Sequence, residues 1–160
     1  MDEAPAVVQA FAAWHLSLGA AHVFLYCDRP DDPVQEAVAH LPRVSVAACD
    51  DAYWLRIRKS RPRRDQVSLV ANARDAYART DDDWLFHIDA DEFLWPQAPI
   101  THDLSAVSAA SDCLIIPVVE REHLEGAQNQ FIFEGAFRRP FCFAHHKSAC
   151  GFWAGLRDDM

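Results

Sequence analysis

The chain contains the sequence WLFHIDADEFL at residues 84–94, where an apolar run leads directly into a group of carboxylates. The run is short and aromatic-rich, which is typical of a buried strand. The strand is predicted to end at Ile88, so that Asp89, Asp91 and Glu92 lie in the turn that follows. Ligands of open α/β sheets bind beyond the carboxyl ends of strands, and this turn is therefore a candidate binding site.

Outward from this stretch, the apolar spacing predicts alternating helices and strands. Helices are predicted at residues 5–18, at 33–41 with Asp32 as N-cap, and at 66–79 with Asp65 as N-cap; strands are predicted at 22–27, 43–48, 84–88 and 113–119. Strands separated by helical segments indicate βαβ units. The predicted fold is α/β and Rossmann-like, with a mainly parallel sheet flanked by helices. Pro117 predicts an edge position or a bulge in the last of these strands.

The length and composition predict one folded domain spanning residues 1–160. No apolar run approaches the roughly 18 residues that a membrane span needs, and Met1-Asp2-Glu3 lacks the basic start of a signal peptide. These features favour a soluble, cytoplasmic protein without a transmembrane segment. The five cysteines are scattered and odd in number, which indicates reduced thiols rather than a disulfide framework.

Charge is distributed unevenly along the chain. A formal net charge of -9 argues against nucleic acid as a partner, because binding its phosphates needs a basic surface. One short stretch nevertheless collects cations, and it is predicted to be a basic loop able to meet an anionic ligand. Its members are Arg56, Arg58, Lys59, Arg61, Arg63 and Arg64.

The carboxylates of the acidic turn suit a divalent metal. Asp89 and Asp91 are spaced so that both side chains can point the same way and offer hard oxygen ligands to Mn²⁺ or Mg²⁺. Their mutual repulsion is relieved when a cation binds, and substrate phosphates would complete the metal's shell. A solvated acidic turn without a metal explains the same spacing. Asp28 follows the first predicted strand and is expected at the same edge of the sheet.

Residues 84–94 resemble the strand and DxD motif of family 2-like glycosyltransferases with the GT-A fold. Residues 11–19 followed by 22–26 look like the opening helix and strand of that family, and Asp28 holds the position of its nucleotide-contacting acidic loop. The resemblance covers about residues 8–120.

A further similarity lies between the basic stretch and the DxD strand. Residues 64–72 are similar to the family's Arg-Gln-x(n)-Asn stretch, although Asp65 intervenes between Arg64 and Gln66. This departure weakens the equivalence of Arg64.

The resemblance implies transfer of a sugar from a UDP- or GDP-sugar donor to an unknown glycan, lipid or protein acceptor. Mn²⁺ or Mg²⁺ would be held by Asp89 and Asp91, and the donor would be bound by Asp28, Arg64 and Asp89. Arg63 and Arg64 are candidates to assist the metal in stabilising the leaving diphosphate.

An inverting transfer also needs a carboxylate base. Glu120 and Glu122 follow the last predicted strand, where the family places acceptor-side residues, although surface glutamates explain them equally well. A late histidine is a metal ligand in some GT-A enzymes, so His145 or His146 is a further candidate ligand; an ordinary aromatic-rich core also accounts for both.

Several alternatives remain open from the sequence. A haloacid-dehalogenase phosphatase would use Asp89 as nucleophile and Asp91 as acid/base, but Phe93 stands where that family has Thr or Val. A zinc module would use Cys142, His145, His146 and Cys150, whose spacing fits no common zinc pattern. The chain is also short for a glycosyltransferase, which is consistent with a domain incomplete at its C-terminus or with a non-catalytic relative.

Overall fold

The computed structural model describes residues 3–108, 111, 113–122, 136–138 and 151–156, with side chains for residues 3–108, 111 and 114–119. Its helices are α1 (Pro5–Ser17), α2 (Val34–Val38), α3 (Asp51–Arg58), α4 (Asp65–Tyr77) and α5 (Ile100–Ser105). Its strands are β1 (Val23–Cys27), β2 (Val44–Ala48), β3 (Trp84–Phe86), β4 (Cys113–Pro117), β5 (Glu120–Glu122), β6 (Ala136–Arg138) and β7 (Gly151–Leu156).

Strands β1 and β2 form a parallel pair, with Val23 opposite Val44 and Cys27 opposite Ala48. Because successive side chains of a strand point to opposite faces, β1 contributes to two apolar clusters. One face packs against α1 and α2; the buried members of this first cluster are Val8, Phe11, Ala12, Val23, Leu25, Cys27, Val34 and Val38. On the other face, Tyr26 and Ala47 pack against a second cluster made of Cys49, Tyr53, Trp54 and Ala71. Helices therefore cover the parallel pair on both faces.

The remaining described strands pair antiparallel. Strand β7 lies between β3 and β4, and β5 pairs with β6. The described strands thus define a mixed α/β fold with a parallel pair flanked by helices, and the prediction of a mainly parallel sheet does not hold for them. Strand β4 lies at the edge of its sheet among these strands, as Pro117 predicted.

Helix α1 follows the prediction from sequence, whereas the start of α2 does not. Helix α1 has Pro5 in its first turn, and Gly19 follows it with a φ of 101°, a conformation that glycine adopts without strain. Helix α2 is shorter than predicted: it starts at Val34 with Pro33 as its N-cap and no side-chain capping bond, and it ends at Val38. Asp32 is therefore not the N-cap, although its carboxylate accepts a hydrogen bond from the N–H of Val34 at 3.0 Å in the loop before the helix.

The basic stretch is only partly a loop, which corrects the prediction. Arg56 and Arg58 lie in α3, a helix missed at the sequence level. The Asp50 side chain caps α3 by accepting the N–H of Tyr53 at 2.8 Å, and the helix ends at Lys59 in the left-handed conformation. The loop proper therefore spans residues 59–64.

The capping assignment of Asp65 was wrong. Helix α4 starts one residue earlier than predicted, with Arg64 in extended conformation as its N-cap and no side-chain capping bond. Asp65 lies in the first turn, where its negative charge still interacts favourably with the helix dipole.

None of the helices in the described ranges is long and apolar enough to cross a bilayer.

Candidate functional site

The acidic turn forms a closed hydrogen-bonded loop after β3. Strand β3 ends at Phe86, earlier than the predicted Ile88. The N–H of Glu92 donates to the carbonyl of Asp89 at 3.0 Å, and the N–H of Asp89 donates to the Glu92 carboxylate at 3.4 Å. The side chains of Asp89 and Asp91 are exposed, whereas Glu92 is half-buried. Glu92 therefore closes the turn from inside and leaves the two aspartates facing solvent.

The charges of this turn act on one another. Burial, followed by the negative charge of Asp89, raises the pKa of Glu92 to about 7; Asp91 adds to the rise and the N–H of Asp89 opposes it. Burial lowers the pKa of His87, and the charge of Asp89 opposes that change. The turn therefore concentrates negative charge whose repulsion a bound cation would relieve.

Replacing Glu92 with glutamine is expected to stabilise the metal-free protein at pH 8 and to change little near pH 4. The folded-state pKa of Glu92 is raised, so the fold favours the protonated form. The stability that protonated Glu92 contributes is complete below the pKa of the unfolded state, about 4.5, and is lost as the pH rises through about 7. Allowing for solvent screening, the gain at pH 8 should be about 1–2 kcal/mol in the free energy of unfolding, measured by urea denaturation.

Glu36→Gln is the matched control, since Glu36 is an exposed glutamate on α2. It should show no stabilisation that grows with pH. If the free energy of unfolding of Glu92→Gln differed from that of the wild type by the same amount at pH 4 and pH 8, the electrostatic account of the turn would be contradicted.

The acidic turn rests on the first apolar cluster, which also supports the end of β1. Ile88, Ala90 and Phe93 pack against this cluster, whose members include Cys27. Asp28 follows Cys27 directly and pairs with Arg61, whose Nη2 lies 2.9 Å from Asp28 Oδ1. The same cluster therefore supports the acidic turn and the strand end that carries Asp28, and the residue 59–64 loop joins the site through Arg61.

Arg61 was not singled out among the predicted site residues, although it lies in the basic stretch that the sequence identified. Arg64, which was singled out, is exposed, and its carbonyl accepts the N–H groups of Val67 and Ser68 as α4 begins. Both partners in the Asp28–Arg61 pair are about half exposed, so the pair is available to solvent and to a ligand.

For the other predicted site residues, the structure describes no side-chain positions. Glu120 and Glu122 lie on β5, opposite Arg138 and Ala136 of β6, and only their backbone is described. His145 lies outside the described residues, as does the rest of the zinc set, Cys142, His146 and Cys150. The predicted base and the late metal ligand therefore stay predictions.

In the described ranges, no group of three or more His, Cys, Asp or Glu side chains is arranged to hold a metal. Asp89 and Asp91 place two exposed carboxylates in one turn. Mg²⁺ and Mn²⁺ commonly use one or two carboxylates of this kind and complete their shells with water and phosphate. A metal held at this turn would need further ligands, such as water or phosphate oxygens, to complete its shell.

A small apolar cavity of about 150 Å³ lies beside the acidic turn, between β3, α5 and β4. Its walls include Phe86, Leu94, Trp95 and Leu114, with Asp103 as a polar member. Ligand pockets usually measure about 300–1,000 Å³, so this cavity is too small and too apolar to receive a nucleotide diphosphate.

Cys27 and Cys49 are buried away from solvent, and their pKa values are raised. Both cysteines are free and buried, as expected for reduced thiols. Burial raises the pKa of Cys27 to about 11 and that of Cys49 to about 12, so neither forms the reactive thiolate at neutral pH.

Sequence reasoning also missed Asp75, a buried carboxylate of α4. It accepts a hydrogen bond from the Tyr26 hydroxyl at 2.9 Å and one from Arg56 at 3.0 Å, and it lies 3.5 Å from Arg79. These contacts tie α3 and α4 to β1 and so fix the frame of the residue 59–64 loop. In the sequence, Asp75 is an ordinary acidic residue within a helical pattern.

Comparisons of the chain with protein-family models, with curated proteins and with solved structures found no match.

Proposed function

We propose that this chain is a GT-A-type, family 2-like glycosyltransferase domain that binds a nucleotide-sugar donor through the acidic turn. The observation that carries the proposal is the turn itself: Asp89 and Asp91 present exposed carboxylates just beyond β3, while Glu92 folds back to close the loop. The parallel β1–β2 pair, covered by helices on both faces, supports a Rossmann-like arrangement of the donor-binding half.

The charges around the site suit a nucleoside diphosphate. Asp28 lies beyond β1, where a carboxylate can accept hydrogen bonds from ribose hydroxyls. Arg61 tethers the residue 59–64 loop to Asp28, and this loop also contains Arg63 and Arg64. The diphosphate would lie between these cations and the carboxylates of the acidic turn.

In the proposed reaction, Asp89 and Asp91 would hold Mn²⁺ or Mg²⁺, which as a Lewis acid neutralises charge on the leaving diphosphate. Arg63 and Arg64 would stabilise the same developing charge electrostatically. Glu120 or Glu122 would take the proton of the acceptor hydroxyl as that oxygen attacks the anomeric carbon, with inversion of configuration.

Donor binding predicts a metal-dependent thermal shift. UDP or GDP should raise the melting temperature only when Mn²⁺ or Mg²⁺ is present. A nucleotide at one hundred times its Kd stabilises a protein by about 2.7 kcal/mol, which corresponds to a rise of roughly 5–10 °C for a domain of this size. The measurement is differential scanning fluorimetry with each nucleotide and metal alone and together.

Asp89→Asn and Asp91→Asn should abolish this shift, because the amide is a much weaker metal ligand than the carboxylate. Asp83→Asn is the matched control, since Asp83 is an exposed aspartate just before β3 and should leave the shift intact. The proposal fails if no nucleotide gives a metal-dependent shift. Hydrolysis of a generic phosphate ester that is lost in Asp89→Asn would instead support the phosphatase alternative.

A further inference from the structure

Side chains of α1 hold both main-chain polar groups of Leu94, in the segment that follows the acidic turn. Trp14 Nε1 donates to the carbonyl of Leu94 at 2.8 Å, and the N–H of Leu94 donates to His15 Nε2 at 3.3 Å. Leu94 is buried and lies outside any helix or strand. Its buried backbone therefore depends on α1 for the hydrogen bonds that secondary structure would otherwise provide.

Aromatic contacts reinforce this attachment on both sides of Leu94. The ring of Trp95 stacks on Trp14 with centroids 5.5 Å apart, and the ring of Phe93 stacks on His15 at 6.1 Å. Three consecutive residues after the acidic turn are thus held by neighbouring side chains of one helix. Because Phe93 is separated from Asp91 only by Glu92, the attachment constrains where the turn can lie.

The hydrogen bonds of His15 define its tautomer. His15 Nδ1 lies 2.8 Å from the carbonyl oxygen of Phe11, which can only accept, so Nδ1 carries the proton. His15 Nε2 can then accept from Leu94 only while the ring is neutral. Burial lowers the pKa of His15, partly opposed by the bond to Phe11, and no charged side chain in the described part of the chain contributes to the shift. The groups packed against the ring, Phe11, Phe93 and Leu94, are not titratable.

We propose that His15 and Trp14 are positioning residues for Asp89 and Asp91, and that the neutral ring of His15 is needed to keep the acidic turn in place. In the context of the proposed function, loss of this attachment would weaken metal-dependent nucleotide binding without removing any ligand. Protonation of His15 would have the same effect, because the charged ring has no lone pair for the N–H of Leu94.

The test compares His15→Gln with His15→Asn by amide hydrogen exchange in metal-free, nucleotide-free protein. Glutamine places an acceptor oxygen near the position of Nε2, whereas asparagine retains a donor near Nδ1 and loses that acceptor. In His15→Asn, the amides of Leu94 and Glu92 should exchange about five- to tenfold faster, as expected for loss of one hydrogen bond. In His15→Gln the change should stay within about twofold. The amide of Leu25 in β1 should keep its protection in both variants and so reports on the intact core.

A pH series tests the role of the neutral ring directly, because a purely structural role of His15 would not make the exchange protection depend on pH. Wild-type protection of Leu94 and Glu92 should fall as the pH drops below about 6.5 toward the lowered pKa of His15, while His15→Gln should show no such fall. Equal protection in wild type and His15→Asn, or equal loss in His15→Gln and His15→Asn, would overturn the inference.

The exchange experiment does not depend on nucleotide binding, so the two proposals can fail separately. If the wild type shows a metal-dependent nucleotide shift, His15→Asn and Trp14→Phe should reduce it and His15→Gln should preserve it. A reduced shift in His15→Gln equal to that in His15→Asn would contradict the positioning role. If nucleotide and metal give no thermal shift in the wild type, the proposed function is refuted. The positioning role is then judged by the hydrogen-exchange result alone.

Discussion

Replacing Asp75 with asparagine is expected to lower the free energy of unfolding by about 2–4 kcal/mol, measured by urea denaturation at pH 7. The Asp75 side chain is only 6% exposed and accepts from Tyr26 and Arg56 while lying near Arg79. Asparagine has one acceptor oxygen and would turn its amide nitrogen toward a group that also donates. The two arginines are 60% and 42% exposed and can be rehydrated, so the expected loss lies below that of a fully buried ion pair.

A double-mutant cycle separates the Tyr26 contact from the rest of the network. Tyr26→Phe removes the hydroxyl that donates to Asp75 at 2.9 Å, so its cost should be about 1 kcal/mol in the wild type and much less in Asp75→Asn. Asp83→Asn serves as the exposed control and should change stability by no more than about 0.5 kcal/mol. Additive costs for the two replacements would show that this hydrogen bond contributes nothing specific.

Replacing Trp54 with alanine is expected to destabilise the protein by about 3–5 kcal/mol, since it removes a large side chain from a closed apolar site. Trp54 is 1% exposed and belongs to the second apolar cluster, where its ring meets that of Tyr53 edge-on at a centroid distance of 5.0 Å. The cluster joins α3 and α4 to the parallel pair, so the loss should also weaken the frame that supports Asp28. The free energy of unfolding from urea titrations is the measurement.

Trp54→Phe is the matched variant that separates packing from polarity. The indole Nε1 of Trp54 is buried without a hydrogen-bond partner among the described residues. Phenylalanine keeps most of the apolar contact and removes this unsatisfied donor, so we expect a loss of only about 1–2 kcal/mol. A loss in Trp54→Phe as large as that in Trp54→Ala would contradict the view that most of the stabilisation comes from apolar contact.

The elements around the parallel pair could be predicted because their signals are local. The helical spacing that starts at Pro5 and the apolar run that ends at Cys27 locate α1 and β1 to within about a residue. Helix α3 was missed because its N-cap, Asp50, was not recognised and the arginines near its end suggested a loop. A capping hydrogen bond outweighed that compositional signal.

The acidic turn was found from the sequence because carboxylates directly after an apolar strand are a local pattern. Its internal arrangement was not predictable. The inward position of Glu92 and the rise of its pKa to about 7 depend on burial against neighbouring segments, which no spacing along the chain reports. The proximity of Arg61 to Asp28 likewise depends on how the residue 59–64 loop folds over the end of β1.

Local sequence signals located α1, α4, β1 and β2 to within about two residues, and showed that Asp89 and Asp91 follow a strand, because backbone period acts over a few residues. The antiparallel pairing of β3 with β7, the bond from Tyr26 to Asp75 and the bond between His15 and Leu94 depend on how distant segments pack. The Tyr26–Asp75 bond joins residues that are 49 positions apart in the sequence, and the His15–Leu94 bond joins residues that are 79 positions apart. The physical reason is that a buried polar group must find a hydrogen-bond partner, and packing of the whole chain determines which partner is within reach.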